Sequence, residues 1–239
     1  MNHYGLIGKT LDHSFSKSYF ETKFKNEKIE ASYHNLELES LNNLFETAEE
    51  FNLKGFNVTI PYKQEIIQYL NRIDSIAAEI NAVNAVVKRN GSWVGYNTDY
   101  SAFIHTLSPF LKSSMRALIF GNGGASQAIQ YALRDVGINY LVVARSNCDL
   151  VFEELDENLI GNHHLLVNCT PIGTDGYVTQ EIPFPKVGLS SNHIAYDLVY
   201  NPHETPFLKS AKKAGGLVLN GYKMLVRQAE ESWSIWNEA

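Results

Sequence analysis

The segment Gly121-Asn122-Gly123-Gly124-Ala125-Ser126 follows an apolar run at 116–120 and precedes a helical pattern that reaches about Val136. In that setting a glycine-rich turn binds a dinucleotide. The first glycine permits the tight turn, and the second lets the backbone approach a pyrophosphate, which rests on the helix N-terminus. Ser126 takes the third position, where glycine or alanine is usual. Glycines also serve ordinary turns, so the strand before and the helix after carry the nucleotide reading. The next strand runs into Val143-Ala144-Arg145-Ser146, and Arg145 lies 24 residues beyond Gly121. An acidic residue there would bind a ribose 2′-hydroxyl. Arg145 and Ser146 instead suit a 2′-phosphate, so the expected cofactor is NADP(H). The bland alternative is a solvated surface arginine.

Two further clusters lie at predicted strand ends, where open α/β sheets bind ligands. One is Asn57-Val58-Thr59-Ile60-Pro61-Tyr62-Lys63, and the other is Gly95-Tyr96-Asn97-Thr98-Asp99. Asn, Thr and Asp are also common helix N-caps, and Ser14 and Ser16 could cap the helix they precede, so the residues alone leave both readings open. His13 reads as a turn or loop histidine. His163-His164 is a poor metal pair, because neighbouring residues on a strand point to opposite faces. Trp233 and Trp236 read as packing residues and Cys169 as a buried thiol.

The elements that must position these residues alternate along the chain. Strands are expected at 3–8, 31–38 and 53–60, with helices at 16–28 and at 40–51 (N-cap Ser40). Another helix is expected to open at Pro61. Strands at 83–88 and 93–96 flank Asn90-Gly91, a type I′ hairpin signal. The pattern restarts near Met115, with strands at 116–120, 140–144, 165–168 and 194–198 and helices at 206–214 and 222–236. Such alternation implies mostly parallel sheets with helices on both faces. The restart predicts two α/β lobes, with a ligand cleft between them.

Composition agrees. The chain has 239 residues, enough for one large domain or two small ones. The 44% hydrophobic content argues for a packed core rather than disorder. A net charge of −6 and no long basic run argue against nucleic acid as a partner. No apolar stretch approaches the ~20 residues of a membrane span. Residues 1–8 lack a signal-peptide pattern, and Cys148 and Cys169 match no metal spacing, so a cytoplasmic protein with reduced thiols is expected. No metal is implied.

Taken in order, the segments resemble the shikimate dehydrogenase family. They are His13-Ser14-Phe15-Ser16, the 57–63 cluster, Ala82-Val83-Asn84, Asn97-Thr98-Asp99 and the glycine turn. The match continues through Asn168-Cys169-Thr170-Pro171-x-Gly173, Tyr196-Asp197-x-x-Tyr200-x-Pro202, Thr205-Pro206, Asn220-Gly221 and Met224-Leu225-Val226-x-Gln228-Ala229. The resemblance covers nearly the whole chain. It implies an α/β fold of two lobes, a substrate-binding lobe (1–102 plus 221–239) and a Rossmann-like, doubly wound dinucleotide-binding lobe (103–220). The implied reaction is the reversible, NADPH-dependent reduction of 3-dehydroshikimate to shikimate, a step towards chorismate and the aromatic amino acids. By the same resemblance Lys63 and Asp99 are the catalytic pair. Ser14, Ser16, Thr59, Asn84, Tyr200 and Gln228 bind substrate, and Gly121, Asn122, Gly123, Gly124, Ala125, Arg145, Ser146, Leu198 and Gly221 bind cofactor. Family members occur as monomers and homodimers.

Hydride attack on a ketone carbon builds negative charge on its oxygen, and a proton donor there lowers the barrier. A lysine ammonium can donate that proton and, in the reverse direction, take it back. The sequence departs from the family pattern at Lys17, where proline is usual. It departs again at Ala144-Arg145-Ser146-Asn147-Cys148-Asp149, which lacks a second arginine, and over 146–164, which is short. These departures keep open an enzyme that also oxidises quinate or leans towards NAD. A non-catalytic sensor on the same fold is a second alternative, against which the retained Lys63 and Asp99 argue.

Overall fold

The computed structural model describes residues 1–11, 14–112, 114–175 and 181–238. His13 and the centre of the long 174–191 loop lie outside them. The chain divides into two compact units, residues 1–98 with 229–239, and residues 99–228.

The first unit runs β1 (Asn2–Gly8), α1 (Phe15–Glu27), β2 (Ala31–Glu37), α2 (Leu44–Glu50), β3 (Leu53–Val58), β4 (Arg72–Ile73), α3 (Ser75–Ile80), β5 (Ala85–Arg89) and β6 (Ser92–Tyr96). Its sheet order is β2-β1-β3-β5-β6-β4. This sheet is mixed, with the expected hairpin at one side of its parallel strands. β1 pairs in parallel with β2 and β3, but the β5–β6 hairpin enters antiparallel to β3. Asn90 (φ 50°) and Gly91 (φ 79°) form the hairpin turn and supply the positive φ that type I′ requires.

Two helix expectations change. Instead of a helix from Ser40, a 3₁₀ turn at Leu41–Asn43 precedes α2, and Ser40 makes no capping bond. Instead of an α-helix opened by Pro61, a 3₁₀ helix forms at Glu65–Tyr69. The Lys63 carbonyl accepts the Val83 N–H (2.7 Å), so it is not given to Ile67, its α-helical partner. The short elements β4 and α3 carry too little periodicity to be read from sequence.

Strand alternation splits the first core in two. Ile7, Phe56, Val58 and Trp93 pack with α2 residues Leu44 and Ala48. Tyr4, Phe20, Phe24, Tyr33 and Trp236 form the other cluster. There Trp236 stacks on Tyr4 (4.8 Å between centroids), and its Nε1–H donates to the Val86 carbonyl (2.9 Å).

The second unit runs α4 (Asp99–Leu107), β7 (Arg116–Phe120), α5 (Gly124–Asp135), β8 (Asn139–Val143), α6 (Glu157–Asn162), β9 (Leu165–Asn168), β10 (Ile194–Asp197), α7 (Pro206–Lys213), β11 (Leu217–Asn220) and the start of α8 (Tyr222–Asn237). Among the described residues its sheet has five strands, all parallel, in the order β11-β10-β9-β7-β8. The chain steps outward from β7 to β8, then returns past β7 to β9. That reversal makes this sheet doubly wound and Rossmann-like, with its switch point at the end of β7. Ala102, Phe103, Leu107 and Met224 pack into the core of this sheet. The unit limits therefore fall at 98/99 and 228/229 rather than at 102/103 and 220/221. Among the described residues no helix is long and apolar enough to cross a membrane.

Trp236→Ala removes a buried indole, a ring stack and a hydrogen bond. It should destabilise the protein by about 3–5 kcal/mol, measured by urea unfolding, and a loss near zero would place Trp236 outside the core.

Candidate active site

In the first sheet the ladder sets strand ends level: Ile7 faces Val58, Asn57 faces Ala85, and Ala85 faces Tyr96. The loops carrying Ser14 and Ser16, Thr59 and Lys63, Asn84, and Asn97–Asp99 therefore leave the sheet from one end. Ser14 is the N-cap of α1, accepting the Lys17 N–H (3.4 Å), which leaves its own O–H as a donor. Leu11 is held from β2, where Glu37 Oε1 accepts its N–H (2.6 Å) and Asn35 Nδ2 donates to its carbonyl (3.2 Å).

Ser16 is buried and its hydroxyl lies against the Tyr33 phenol. Burial pushes the Tyr33 pKa up, so this phenol is neutral and donates to Asn57 Oδ1 (2.9 Å). Asn57 Nδ2 donates to the Asn84 carbonyl (3.0 Å) and to Ser232 Oγ (2.8 Å). The Asn84 amide in turn clamps Thr98: Nδ2 donates to Thr98 Oγ1 (3.0 Å), and Oδ1 accepts the Thr98 N–H (2.8 Å). Thr59 donates its N–H to the Ile7 carbonyl (2.9 Å), and half-buried Lys63 is tied by its carbonyl to Val83. Ser16, Thr59, Lys63 and Asn84 thus belong to one hydrogen-bonded end of the first sheet. Tyr33, Ser232, Asn35 and Glu37 were not singled out from the sequence. The one available signal was Ser232, a small polar residue between apolar positions of an amphipathic helix.

The second sheet ends equally level, with Val143, Phe120, Asn168, Asp197 and Asn220 side by side. Each expected cofactor residue follows one of these ends. Gly121 has φ 102° and donates its N–H to the Val143 carbonyl (2.8 Å). A side chain there would press on Thr170. Gly123 is the N-cap of α5 and supplies no side-chain bond to it. The first N–H groups of the helix, at Gly124 and Ala125, are therefore presented outward. Among the described residues nothing would meet a side chain at Gly123, so packing does not demand glycine there, whereas a closely approaching pyrophosphate would. Arg145 and Ser146 are exposed beyond β8, and no described residue forms an ion pair with Arg145. At Gly221 a Cβ would sit 2.2 Å from the Leu198 carbonyl oxygen, so the two backbones touch and only glycine fits. These features suit an NADP-sized dinucleotide.

Asp99 is buried at the first turn of α4 and lies close enough to Cys169, at the end of β9, to raise that thiol's pKa. Burial is the larger cause of the rise, followed by Asp197. Tyr200 is half-buried in the loop after β10. Gln228 is buried and donates Nε2 to the Leu225 carbonyl (3.0 Å).

Sequence reading matched Asp197 to a motif without assigning it a role. The structure makes it the hub of these loops. Its Oδ1 accepts from Asn168 Nδ2 (2.8 Å) and the Val199 N–H (3.0 Å), and its Oδ2 accepts from Thr205 Oγ1 (2.5 Å). Asn168 Oδ1 accepts the Thr170 N–H (2.9 Å), and Thr205 caps α7. Burial pushes the Asp197 carboxyl up to about 6, against the lowering effect of those donors.

The chain is similar to proteins that are already known. The profile of the shikimate dehydrogenase substrate binding domain matches residues 6–86. The NADP(+) shikimate dehydrogenase of Clostridium botulinum (strain Loch Maree, type A3) is 37% identical over 246 residues, covering 97% of this chain and 95% of that protein. The crystal structure of shikimate dehydrogenase from Aquifex aeolicus superposes with a TM-score of 0.89 at 33% identity, over 99% of this chain and 92% of that one. Quinate dehydrogenase from Corynebacterium glutamicum in complex with NAD superposes with a TM-score of 0.87 at 26% identity, over 99% and 93%.

The raised Asp197 pKa has a signed consequence. Its stabilising effect is complete below the unfolded value of 3.8 and is lost as pH rises through about 6. Relative to Asp197→Asn, the native protein should lose about 3 kcal/mol of stability between pH 4 and pH 7. Chemical unfolding of both proteins across that range checks this, and a pH-independent difference would show that Asp197 does not titrate there.

Proposed function

The chain belongs to the shikimate dehydrogenase family, and on that premise we propose that it is a cytoplasmic oxidoreductase that reversibly reduces 3-dehydroshikimate to shikimate with NADPH. The observation that carries this reading is identity of more than a third with an NADP(+) shikimate dehydrogenase across almost the full length of both chains. We assign cofactor binding to the second unit, and the substrate contacts of Ser14, Ser16, Thr59 and Asn84 to the first.

Bound NADPH supplies the hydride. The outward N–H groups at the start of α5 hold its pyrophosphate, Arg145 and Ser146 meet the 2′-phosphate, and Leu198 and Gly221 complete the cofactor wall. Ser14 donates to the substrate carboxylate. Ser16 adds a second hydroxyl when its proton turns away from Tyr33. Thr59, Asn84 and Gln228 hold ring hydroxyls or the carboxylate end, and Tyr200 closes the pocket wall. Lys63 and Asp99 are the proton-transfer pair: Lys63 gives a proton to the carbonyl oxygen as charge develops and takes it back in the oxidation direction. The Asn84 clamp on Thr98 fixes the residue before Asp99, which restrains the start of α4.

A second reading, quinate oxidation with NAD, is favoured by the likeness to the Corynebacterium enzyme and by the single arginine after β8.

Purified protein should show its highest kcat/KM with shikimate and NADP. A higher value for quinate or for NAD would establish the second reading, and no shikimate-dependent NADPH formation would remove both. Lys63→Ala should lower kcat by about 10²–10⁴-fold with little change in the shikimate KM. A weaker KM at unchanged kcat would make Lys63 a binding residue.

A further inference from the structure

β8 is an edge strand, so one side of its backbone has no neighbouring strand. The chain covers that side itself by folding back after Arg145. Asp149 and Leu150 donate their N–H groups to the Val142 carbonyl (3.0 and 3.1 Å), and Ala144 donates its N–H to the Leu150 carbonyl (3.1 Å). The Val142 N–H, on the same side, donates to Asp149 Oδ2 (2.8 Å). A further strand would offer a backbone carbonyl at that point, and here a side-chain carboxylate takes its place.

The tip of this fold-back is Arg145-Ser146-Asn147-Cys148. It is fastened a second time from the glycine turn, where Asn122 Nδ2 donates to the Asn147 carbonyl. Asn122 is itself held through Oδ1 by Gln127 Nε2 (3.0 Å), from the first turns of α5. The loop is thus pinned to the β8 edge by Asp149 and to the pyrophosphate turn by Asn122. Arg145 and Ser146 lie between the two pins.

We infer that Asp149 is a specificity-determining positioning residue: by capping Val142 it turns the loop's single carboxylate to the strand edge and holds Arg145 and Ser146 beside the glycine turn, which favours a cofactor carrying a 2′-phosphate. The inference rests on the reading of Arg145 as the 2′-phosphate residue. A carboxylate near a strand end in this position would otherwise accept from a ribose 2′-hydroxyl and repel a phosphate.

Steady-state kinetics with NADP and NAD at saturating shikimate test it. Asp149→Ala removes the acceptor and loosens the loop. It should raise the KM for NADP about tenfold, with a smaller change in kcat and in the KM for NAD, so the NADP/NAD ratio of kcat/KM falls. Asp149→Asn keeps an oxygen that can accept the Val142 N–H, and should hold the ratio within about twofold of the native value. A ratio unchanged in Asp149→Ala, or equal losses for both cofactors, overturns the inference. So does a rise in NADP preference in both variants, which would mean that the carboxylate faces the phosphate. Arg145→Ala separates the two levels. If it leaves the ratio unchanged, the 2′-phosphate reading itself fails. If it collapses the ratio while Asp149→Ala does not, the inference about Asp149 fails alone.

Discussion

Level strand ends underlie both candidate sites. A parallel ladder fixes each strand against its neighbour residue by residue, and a slip of one would turn every side chain to the opposite face. In the second unit this constraint sets Val143, Phe120, Asn168, Asp197 and Asn220 in one row. The residues after that row come from five separate stretches of sequence, yet they share one edge. The first unit obtains the same result from a mixed sheet, because the β5–β6 hairpin brings the start of β5 and the end of β6 to the finish of β3. The apolar cores hold these registers, since a one-residue slip would move Ile119 from the core on one face of its sheet to the core on the other, where Leu118 and Phe120 now pack.

Buried polar groups do the finer placement. Tyr33, Asn57, Asn84 and Thr98 are all buried, and their bonds run in one direction from phenol to amide to the turn before α4. Asp197 does the equivalent work among the loops of the second sheet, without a cation beside it among its bonded partners. Such networks cost more when broken than they contribute when whole, because each buried group left unpaired carries its full desolvation cost. That asymmetry makes them suited to fixing loop positions rather than to adding stability.

The short stretch after Arg145 illustrates how a missing element is replaced. An edge strand leaves backbone groups open, and a folded protein covers or solvates them. Here two residues of backbone and one carboxylate make four hydrogen bonds along the edge of β8, and those bonds set the shape of the loop that carries Arg145 and Ser146.

The sequence by itself determined the family, the Rossmann-like turn, the β5–β6 hairpin and nearly all the long elements. Those features depend on local chemistry, such as the glycines at 121 and 123 before a helical run, Asn90-Gly91 between apolar alternations, and hydroxyls at Ser14 and Ser16. It also marked Lys63 and Asp99 by motif. Tertiary structure decided that the first sheet is mixed, because strand direction depends on partners distant in the chain. It decided that 61–69 makes only a 3₁₀ turn, because the Lys63 carbonyl bonds Val83 instead of Ile67. It also decided which polar residues are structural hubs. Tyr33, Asp197 and Asp149 look ordinary in sequence, since burial and hydrogen-bond partners belong to the packed chain and not to any segment of it.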